Sequence, residues 1–142
     1  MSTEQVKRRV SILIPYRRSG DKFLVFLQKR SKNAERLPDF FGFFGGGAEN
    51  GESPEETLQR EIKEEINFVS SGYAYLREYE FAGSIESIYY IEVGGEFEKH
   101  IEVKEGEYGK YFTEDEALNE PKLIEEDKLV LRDLFSKLRT GR

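Results

Sequence analysis

The sequence predicts an α+β domain that occupies residues 1–142 as one unit. Several segments combine strand-like alternation with β-branched and aromatic residues, and two other segments carry apolar residues at helical spacing. The length of 142 residues suits one hydrophobic core that needs no disulfide or metal to hold it together. No linker, internal repeat or low-complexity segment divides the chain, so a single domain is the simplest organisation.

The N-terminal part of the chain is predicted to form two strands. Residues 6–16 (VKRRVSILIPY) alternate and are rich in β-branched residues, and residues 23–30 (FLVFLQKR) are nearly all apolar. The continuous apolar run of the second strand predicts burial on both of its faces. Residues 40–47 (FFGFFGGG) follow, and their glycines allow the backbone to approach a bound ligand closely.

A helix is predicted to begin just after these glycines. Ser53 suits the N-cap, Pro54 suits the first helical position, and Glu56 completes a capping box with Ser53. Apolar residues then recur every four positions and form one narrow stripe: Leu58, Ile62 and Ile66. This stripe is expected to pack against the core.

The C-terminal half is predicted to contain further strands and then helices. Residues 73–82 and 84–93 read as a strand pair, and residues 97–103 (FEKHIEV) read as another strand, in which the single histidine, His100, is assigned no role. Thr113 is expected to cap a short helix (TEDEALN). Residues 122–139 form the last predicted helix, whose apolar register consists of Leu123, Asp127, Val130, Leu131, Leu134, Phe135 and Leu138.

Composition excludes several classes of function. The chain has no cysteine, so neither a disulfide framework nor a thiolate metal site is possible. Its net charge of −6, with both signs interspersed, argues against a duplex nucleic-acid partner, which would require a basic face. No apolar run approaches the length of a membrane span and the N-terminus lacks the apolar core of a signal peptide, so we expect a cytoplasmic protein without a membrane partner.

Three carboxylates on the predicted helix indicate a site for divalent cations. Spacings of three and four residues place Glu61, Glu64 and Glu65 on one face beside the apolar stripe. Like charges at this spacing repel each other, and Arg60 and Lys63 relieve only part of that repulsion. Hard cations such as Mg²⁺ or Mn²⁺ would relieve the rest because they prefer oxygen ligands.

The segment from Gly46 to Phe68 resembles the Nudix box, G-x5-E-x7-R-E-U-x-E-E-x-G-U. Gly46 is followed after five residues by Glu52, and seven residues later comes the run REIKEEINF (60–68). One specified position differs, because Asn67 stands where the family has glycine; asparagine also tolerates the left-handed conformation that ends such a helix. The resemblance, closest to the MutT-like branch, implies an α/β/α sandwich with a mixed β-sheet and a pyrophosphohydrolase that acts on phosphoanhydride bonds.

The resemblance also implies which residues form the metal site. Glu61, Glu64 and Glu65 would bind one to three Mg²⁺ or Mn²⁺ ions, and the carbonyl group of Gly45 commonly ligates the metal in relatives. Arg60 would pair with Glu52 and hold the loop against the helix. A glutamate in a late loop of MutT-like enzymes binds a further metal or takes the proton from water. Glu105 is the closest match to that position and Glu107 is the rival, although a loop carboxylate without a role is the alternative interpretation of either residue.

Four further residues are candidates for contact with the substrate. In MutT-like enzymes a basic residue at the position of Arg30 contacts the nucleotide, although a solvated charge at a strand end is the alternative interpretation. Phe43 and Phe41 could each stack on a base, with core packing favoured. Asn119 resembles the asparagine that reads a purine edge, but the spacing from Tyr111 to Asn119 is shorter than in that pattern.

The resulting functional hypothesis is Mg²⁺-dependent hydrolysis of a nucleotide. The leading substrate is a nucleoside triphosphate, oxidised or not, cleaved to the nucleoside monophosphate and pyrophosphate; a nucleotide sugar or other dinucleotide is the alternative. Two other classes stay open, namely a Nudix-fold nucleotide-binding module without catalysis and an acidic metal-binding protein. The intact acidic set argues against the first, and the loop glycines with Arg60 argue against the second. Monomer and homodimer are both compatible with the sequence.

Overall fold

A mixed β-sheet lies at the centre of the computed structural model, which describes residues 6–103 and 106–141. Within these residues the sheet has seven strands: β1 (Arg8–Ser19), β2 (Lys22–Lys29), β3 (Phe41–Gly42), β4 (Phe44–Gly47), β5 (Ala74–Glu80), β6 (Ser84–Glu92) and β7 (Tyr108–Thr113). The strand order is β3-β2-β1-β6-β5, with β4 also pairing with β1 and β7 with β2. β1 and β6 are parallel, whereas the other pairs are antiparallel.

Helices cover both faces of this sheet, as predicted. The helices are α1 (Pro54–Ile66), α2 (Phe97–His100), α3 (Glu114–Leu118) and α4 (Glu125–Thr140). The alternation of β1 explains the two layers, because successive side chains of a strand point to opposite faces. Leu13 belongs to the cluster that contains the apolar stripe of α1, whereas Ile12 and Ile14 pack in the cluster of α3 and α4. The predicted α/β/α sandwich is thereby confirmed.

The ends of α1 follow the local sequence closely. The Ser53 hydroxyl accepts a hydrogen bond from the Glu56 N–H, and the Glu56 carboxylate accepts one from the Ser53 N–H, so the predicted capping box is present. At the other end Asn67 adopts the left-handed conformation, with φ 53° and ψ 40°. Asparagine thus ends the helix in the way that glycine usually does.

One segment differs from the sequence prediction. Residues 97–100 form α2 and not a strand, because the Phe97 ring packs edge-on against Phe26 and Phe68 in the α1 layer, and this burial outweighs local alternation. The glycine-rich segment at residues 40–47 forms two short strands, β3 and β4. No helix within the described residues is long and apolar enough to cross a membrane.

Candidate active site

The glycines of β4 bring the backbone of the sheet against the carboxylates of α1. Gly45 has φ 141°, and a Cβ atom added there would lie 2.0 Å from the carbonyl oxygen of Ser11 on β1, so only glycine fits. A Cβ atom on Gly46 would lie 2.4 Å from the carboxylate carbon of Glu61. The missing side chain of Gly46 is therefore what allows the Glu61 carboxylate to rest against the strand.

The three carboxylates of α1 differ in their environment. Glu65 is buried, with 4% of its surface exposed, and its Oε2 accepts a hydrogen bond of 3.1 Å from the Gly45 N–H. The Glu61 side chain is 15% exposed, and that of Glu64 is 55% exposed. The three groups thus extend from the backbone of β4 outward to solvent along one face of the helix.

Arg60 connects this helix to the loop that precedes it. Its Nε and Nη2 donate to the two oxygens of Glu52 at 2.8 and 2.9 Å, and Nη2 also donates to the Gly47 carbonyl oxygen at 3.0 Å. Hydrogen bonds from Arg60 and from the Glu49 N–H lower the pKa of Glu52 to about 2. The predicted pairing of Arg60 with Glu52 is confirmed, and it fixes the loop against α1 through a two-pronged contact.

Arg60 also neutralises part of the acidic face. Its Nη1 donates to Glu61 at 2.8 Å and to Glu64 at 3.4 Å. The described residues contain no group of three or more acidic or histidine side chains gathered around one point in a metal-binding arrangement. This agrees with the contacts, because Glu61 and Glu64 bind Arg60 while Glu65 binds Gly45. The donor set itself, three carboxylates beside a strand backbone, fits Mg²⁺ or Mn²⁺ because these ions prefer oxygen ligands.

A cavity of about 820 Å³ adjoins the carboxylates. Gly45, Gly46 and the three glutamates of α1 line one part of it. Its volume lies within the range of about 300–1,000 Å³ that is usual for small-molecule sites. The face of the sheet toward α4 contributes Val10, Ile12 and Glu86, so the cavity extends from the edge of β4 across β1 to β6.

A second group of charged residues lines the same cavity. Burial, and then the charges of Glu86 and Glu126, raise the pKa of Asp127 to about 7, although Arg36 and Arg30 oppose the rise. Burial also raises the pKa of Glu86. The Glu86 Oε2 accepts from the Ser84 hydroxyl at 3.0 Å, while its buried Oε1 has no hydrogen-bond partner among the described residues.

Sequence reasoning assigned no function to Asp127 or Glu86. The predicted apolar register of α4 includes Asp127, and the predicted strand at residues 84–93 includes Glu86 without a role. An acidic residue at a core position is the signal that could have identified Asp127, because burying a carboxylate without a partner is costly. No comparable pattern marks Glu86, since its burial depends on the approach of α4.

The predicted substrate residues are distributed unevenly. Arg30 and the half-buried Phe43 line the cavity, and the Arg30 Nε donates to the Arg36 carbonyl oxygen at 3.0 Å. Phe41 also lines the cavity, and it packs in the core against Phe112 with ring centres 4.8 Å apart, as favoured from the sequence. Asn119 is not among the cavity-lining residues; its side-chain amide donates to the Asp115 carbonyl oxygen at 2.8 Å and so closes the end of α3.

The two candidate glutamates of the late loop have different outcomes. Glu105 lies outside the described residues. Glu107 is exposed, and its backbone N–H donates to the Lys29 carbonyl oxygen at 2.8 Å next to β2. The assignment of Glu105 to the metal site stays a prediction.

Comparison with known proteins identifies one family. A family profile described as the NUDIX domain matches residues 7–134. No curated protein sequence matches the chain significantly.

Solved structures share the fold at low identity. The NUDIX domain of Shewanella oneidensis NrtR, complexed with ADP ribose, is 16% identical, with 95% of this chain and 90% of that chain covered and a TM-score of 0.74. A structure from work on MutT of Aliivibrio salmonicida and Vibrio cholerae is 19% identical, covers 93% and 99% of the two chains and has a TM-score of 0.72. A MutT/nudix family protein from Enterococcus faecalis is 18% identical with a TM-score of 0.65; the match covers 80% of this chain but only 46% of that one, about half its length.

Proposed function

This chain belongs to the NUDIX domain family and is a Nudix-type pyrophosphohydrolase, and we propose that it cleaves a nucleoside triphosphate to the nucleoside monophosphate and pyrophosphate in a reaction that needs Mg²⁺ or Mn²⁺. The observation that carries this proposal is the continuity of one cavity. The carboxylate face of α1 and the second charged group, around Asp127, line the same cavity of about 820 Å³. A nucleotide has the matching chemistry, with an anionic phosphate chain and a base that carries hydrogen-bond donors and acceptors.

The metal-binding residues in this proposal are Glu61, Glu64 and Glu65, with the Gly45 carbonyl group and Glu105. When bound, the divalent ion would neutralise phosphate charge and lower the pKa of a coordinated water. Without a cation, this acidic face would repel a triphosphate. Arg60 cannot supply the missing charge to the substrate, because Glu52, Glu61 and Glu64 already share its guanidinium.

The protein residues then position and deprotonate the nucleophile. Water attacks phosphorus, the bond to the pyrophosphate leaving group breaks, and one glutamate of the acidic set takes the proton of the water. The Arg60–Glu52 contact keeps the loop at Gly47 in place, so Glu61 and Glu65 keep their position beside β4. Arg60 and Glu52 are therefore positioning residues in this mechanism.

The second charged group supports a base as the other part of the substrate. With a pKa of about 7, the Asp127 carboxyl group is protonated in a large fraction of molecules at neutral pH. A protonated carboxyl group offers a donor beside an acceptor, and the buried Glu86 Oε1 offers a further acceptor. Such a pattern complements the edge of a nucleobase, and Phe43 and Arg30 line the same cavity.

A nucleotide sugar or other nucleoside diphosphate derivative is the second candidate substrate. The similar Shewanella domain is complexed with ADP ribose, so this fold accepts such a ligand. Both candidates share the diphosphate linkage and the base, and they differ in the group beyond the scissile bond.

The test is hydrolysis of a panel of nucleoside triphosphates, nucleotide sugars and dinucleotides, with products separated by ion exchange. We expect nucleoside monophosphate and pyrophosphate from a triphosphate, no release of orthophosphate, and a rate that rises toward alkaline pH because the nucleophile is a deprotonated water. Full activity in excess EDTA would eliminate the metal-dependent mechanism. If only nucleotide sugars were hydrolysed, a nucleotide sugar and not a nucleoside triphosphate would be the substrate. Tight nucleotide binding without turnover would indicate a non-catalytic module.

A further inference from the structure

Arg8 is a cavity-lining cation that the mechanism above does not use. It is the first residue of β1, and its backbone N–H donates to the Gly83 carbonyl oxygen at 3.2 Å. Its side chain shares a face of β1 with Val10 and Ile12 and lines the cavity with them. Arg8 is thus anchored by its backbone while its side chain is exposed.

The guanidinium of Arg8 lies directly against β4. A Cβ atom added to Gly47 would lie 2.6 Å from its Nε and 2.8 Å from its Nη2. A Cβ atom added to the preceding residue, Gly46, would lie 2.4 Å from the carboxylate carbon of Glu61. The cation and the proposed metal ligand therefore lie against successive residues of β4, which point to opposite faces of the sheet, and both line the cavity.

The charge of Arg8 is not neutralised within the described part of the chain. No carboxylate there lies within 4.0 Å of its guanidinium, and no hydrogen bond involves its side chain. The neighbouring Arg9 differs, because its side chain points away from the cavity and pairs with Glu78 at 3.7 Å. Arg60 differs too, since carboxylates occupy its donors.

Arg8 is the cavity-lining arginine that lies beside the proposed metal ligands. Among the described residues three arginines line the cavity: Arg8, Arg30 and Arg36. Arg30 and Arg36 act on the carboxyl group of Asp127, at the second charged group. A guanidinium with free donors suits the non-bridging oxygens of a phosphate, which it can contact through two parallel hydrogen bonds.

We propose that Arg8 binds the phosphate chain of the substrate, next to the phosphate held through Glu61, and so favours substrates with several linked phosphates. This proposal rests on the proposed function for the identity of the anion. It also assigns a consequence to Gly47, since a side chain there would displace the guanidinium. It also gives the acidic site a permanent cation that attracts a polyanion before the metal does.

The experiment measures binding of inorganic tripolyphosphate with Mg²⁺ by calorimetry to wild type, Arg8→Ala, Arg8→Lys and Arg9→Ala. We expect Arg8→Ala to weaken binding by about tenfold to a hundredfold, the scale of a charge-assisted hydrogen-bonded contact. Arg8→Lys should recover part of the loss, because it keeps the charge but not the two-pronged geometry. Arg9→Ala is the matched control and should bind as the wild type does. Melting temperatures should agree in all four proteins, and the salt dependence of binding should be shallower in Arg8→Ala.

The same variants are assayed for hydrolysis of the preferred nucleotide, where Arg8→Ala should raise KM more than it lowers kcat. Equal tripolyphosphate affinity in Arg8→Ala and wild type would overturn the proposal, as would the absence of binding to wild type. A wild type that hydrolyses no nucleoside triphosphate, yet binds tripolyphosphate through Arg8, would refute the proposed substrate while supporting this role of Arg8. The two failures are therefore distinguishable.

Discussion

Replacing Gly46 with alanine separates the proposed catalytic role of Glu61 from its contribution to the fold. The added Cβ atom would lie 2.4 Å from the Glu61 carboxylate carbon and 2.6 Å from each of its oxygens. Ordinary contact between carbon atoms begins at about 3.5 Å, so the carboxylate must retreat by about 1 Å. The displaced atoms form the end of a flexible side chain, and the backbone of β4 need not move.

The expected result is a large loss of turnover with little loss of stability. A displacement of about 1 Å in a positioned group can cost about a hundredfold in rate. Alanine also restricts the unfolded chain more than glycine does, which offsets part of any strain. Gly46→Ala should therefore lower kcat about a hundredfold and require more Mg²⁺ for half-maximal activity, while its melting temperature stays close to that of the wild type.

Two matched glycine variants complete this experiment. Gly45→Ala should unfold at a much lower temperature, because its Cβ would lie 2.0 Å from the backbone oxygen of Ser11 at φ 141°. Gly94→Ala, which has open space around the added atom, should behave as the wild type. Turnover is measured over a Mg²⁺ titration, and stability by thermal unfolding without metal. Wild-type kcat and Mg²⁺ dependence in Gly46→Ala would refute the reasoning, because the position of Glu61 would then be immaterial.

Three further predictions concern α1 and α4. Glu64→Gln and Glu65→Gln should each lower turnover at least about a hundredfold without loss of folding, since each removes a charge from the proposed metal site. Unchanged steady-state rates in both variants would locate the chemistry elsewhere. Ile62→Ala removes a fully buried side chain and should cost about 2–5 kcal/mol of unfolding free energy, while the Mg²⁺-induced rise in melting temperature persists. Glu61→Gln should instead reduce that rise. Equal Mg²⁺-induced rises for the two variants in thermal scans would contradict this prediction. Asp127 titrates near 3.8 when unfolded and near 7 when folded, so the wild type loses stability as pH rises through this range. Asp127→Asn should be more stable than wild type at pH 8 by at least about 1.4 kcal/mol, the equivalent of one pKa unit, with no gain at pH 4. Urea unfolding measures the difference at both pH values. An equal difference at pH 4 and at pH 8 would contradict the prediction.

The sequence alone determined the features that depend on near neighbours. The capping box of Ser53 and Glu56, the left-handed end at Asn67 and the buried stripe of α1 are set by residues within one or two helical turns of each other. The spacing of the acidic residues identified the family for the same reason, since a motif on one helix needs no knowledge of the rest of the fold. The pairing of Glu52 with Arg60, eight residues apart, also belongs to this local set.

Only the tertiary structure decided which distant residues meet α1 and complete the cavity. The antiparallel register of β4 on β1 sets Arg8 against Gly47, and the parallel pairing of β1 with β6 brings Glu86 under α4 near Asp127. These contacts depend on strand order and register, which hydrophobic periodicity does not contain, so Asp127 looked like one more position of an apolar stripe. Asn119 illustrates the converse, because a position close to a family pattern in sequence lies at the end of α3, away from the cavity-lining residues, where its amide closes the helix.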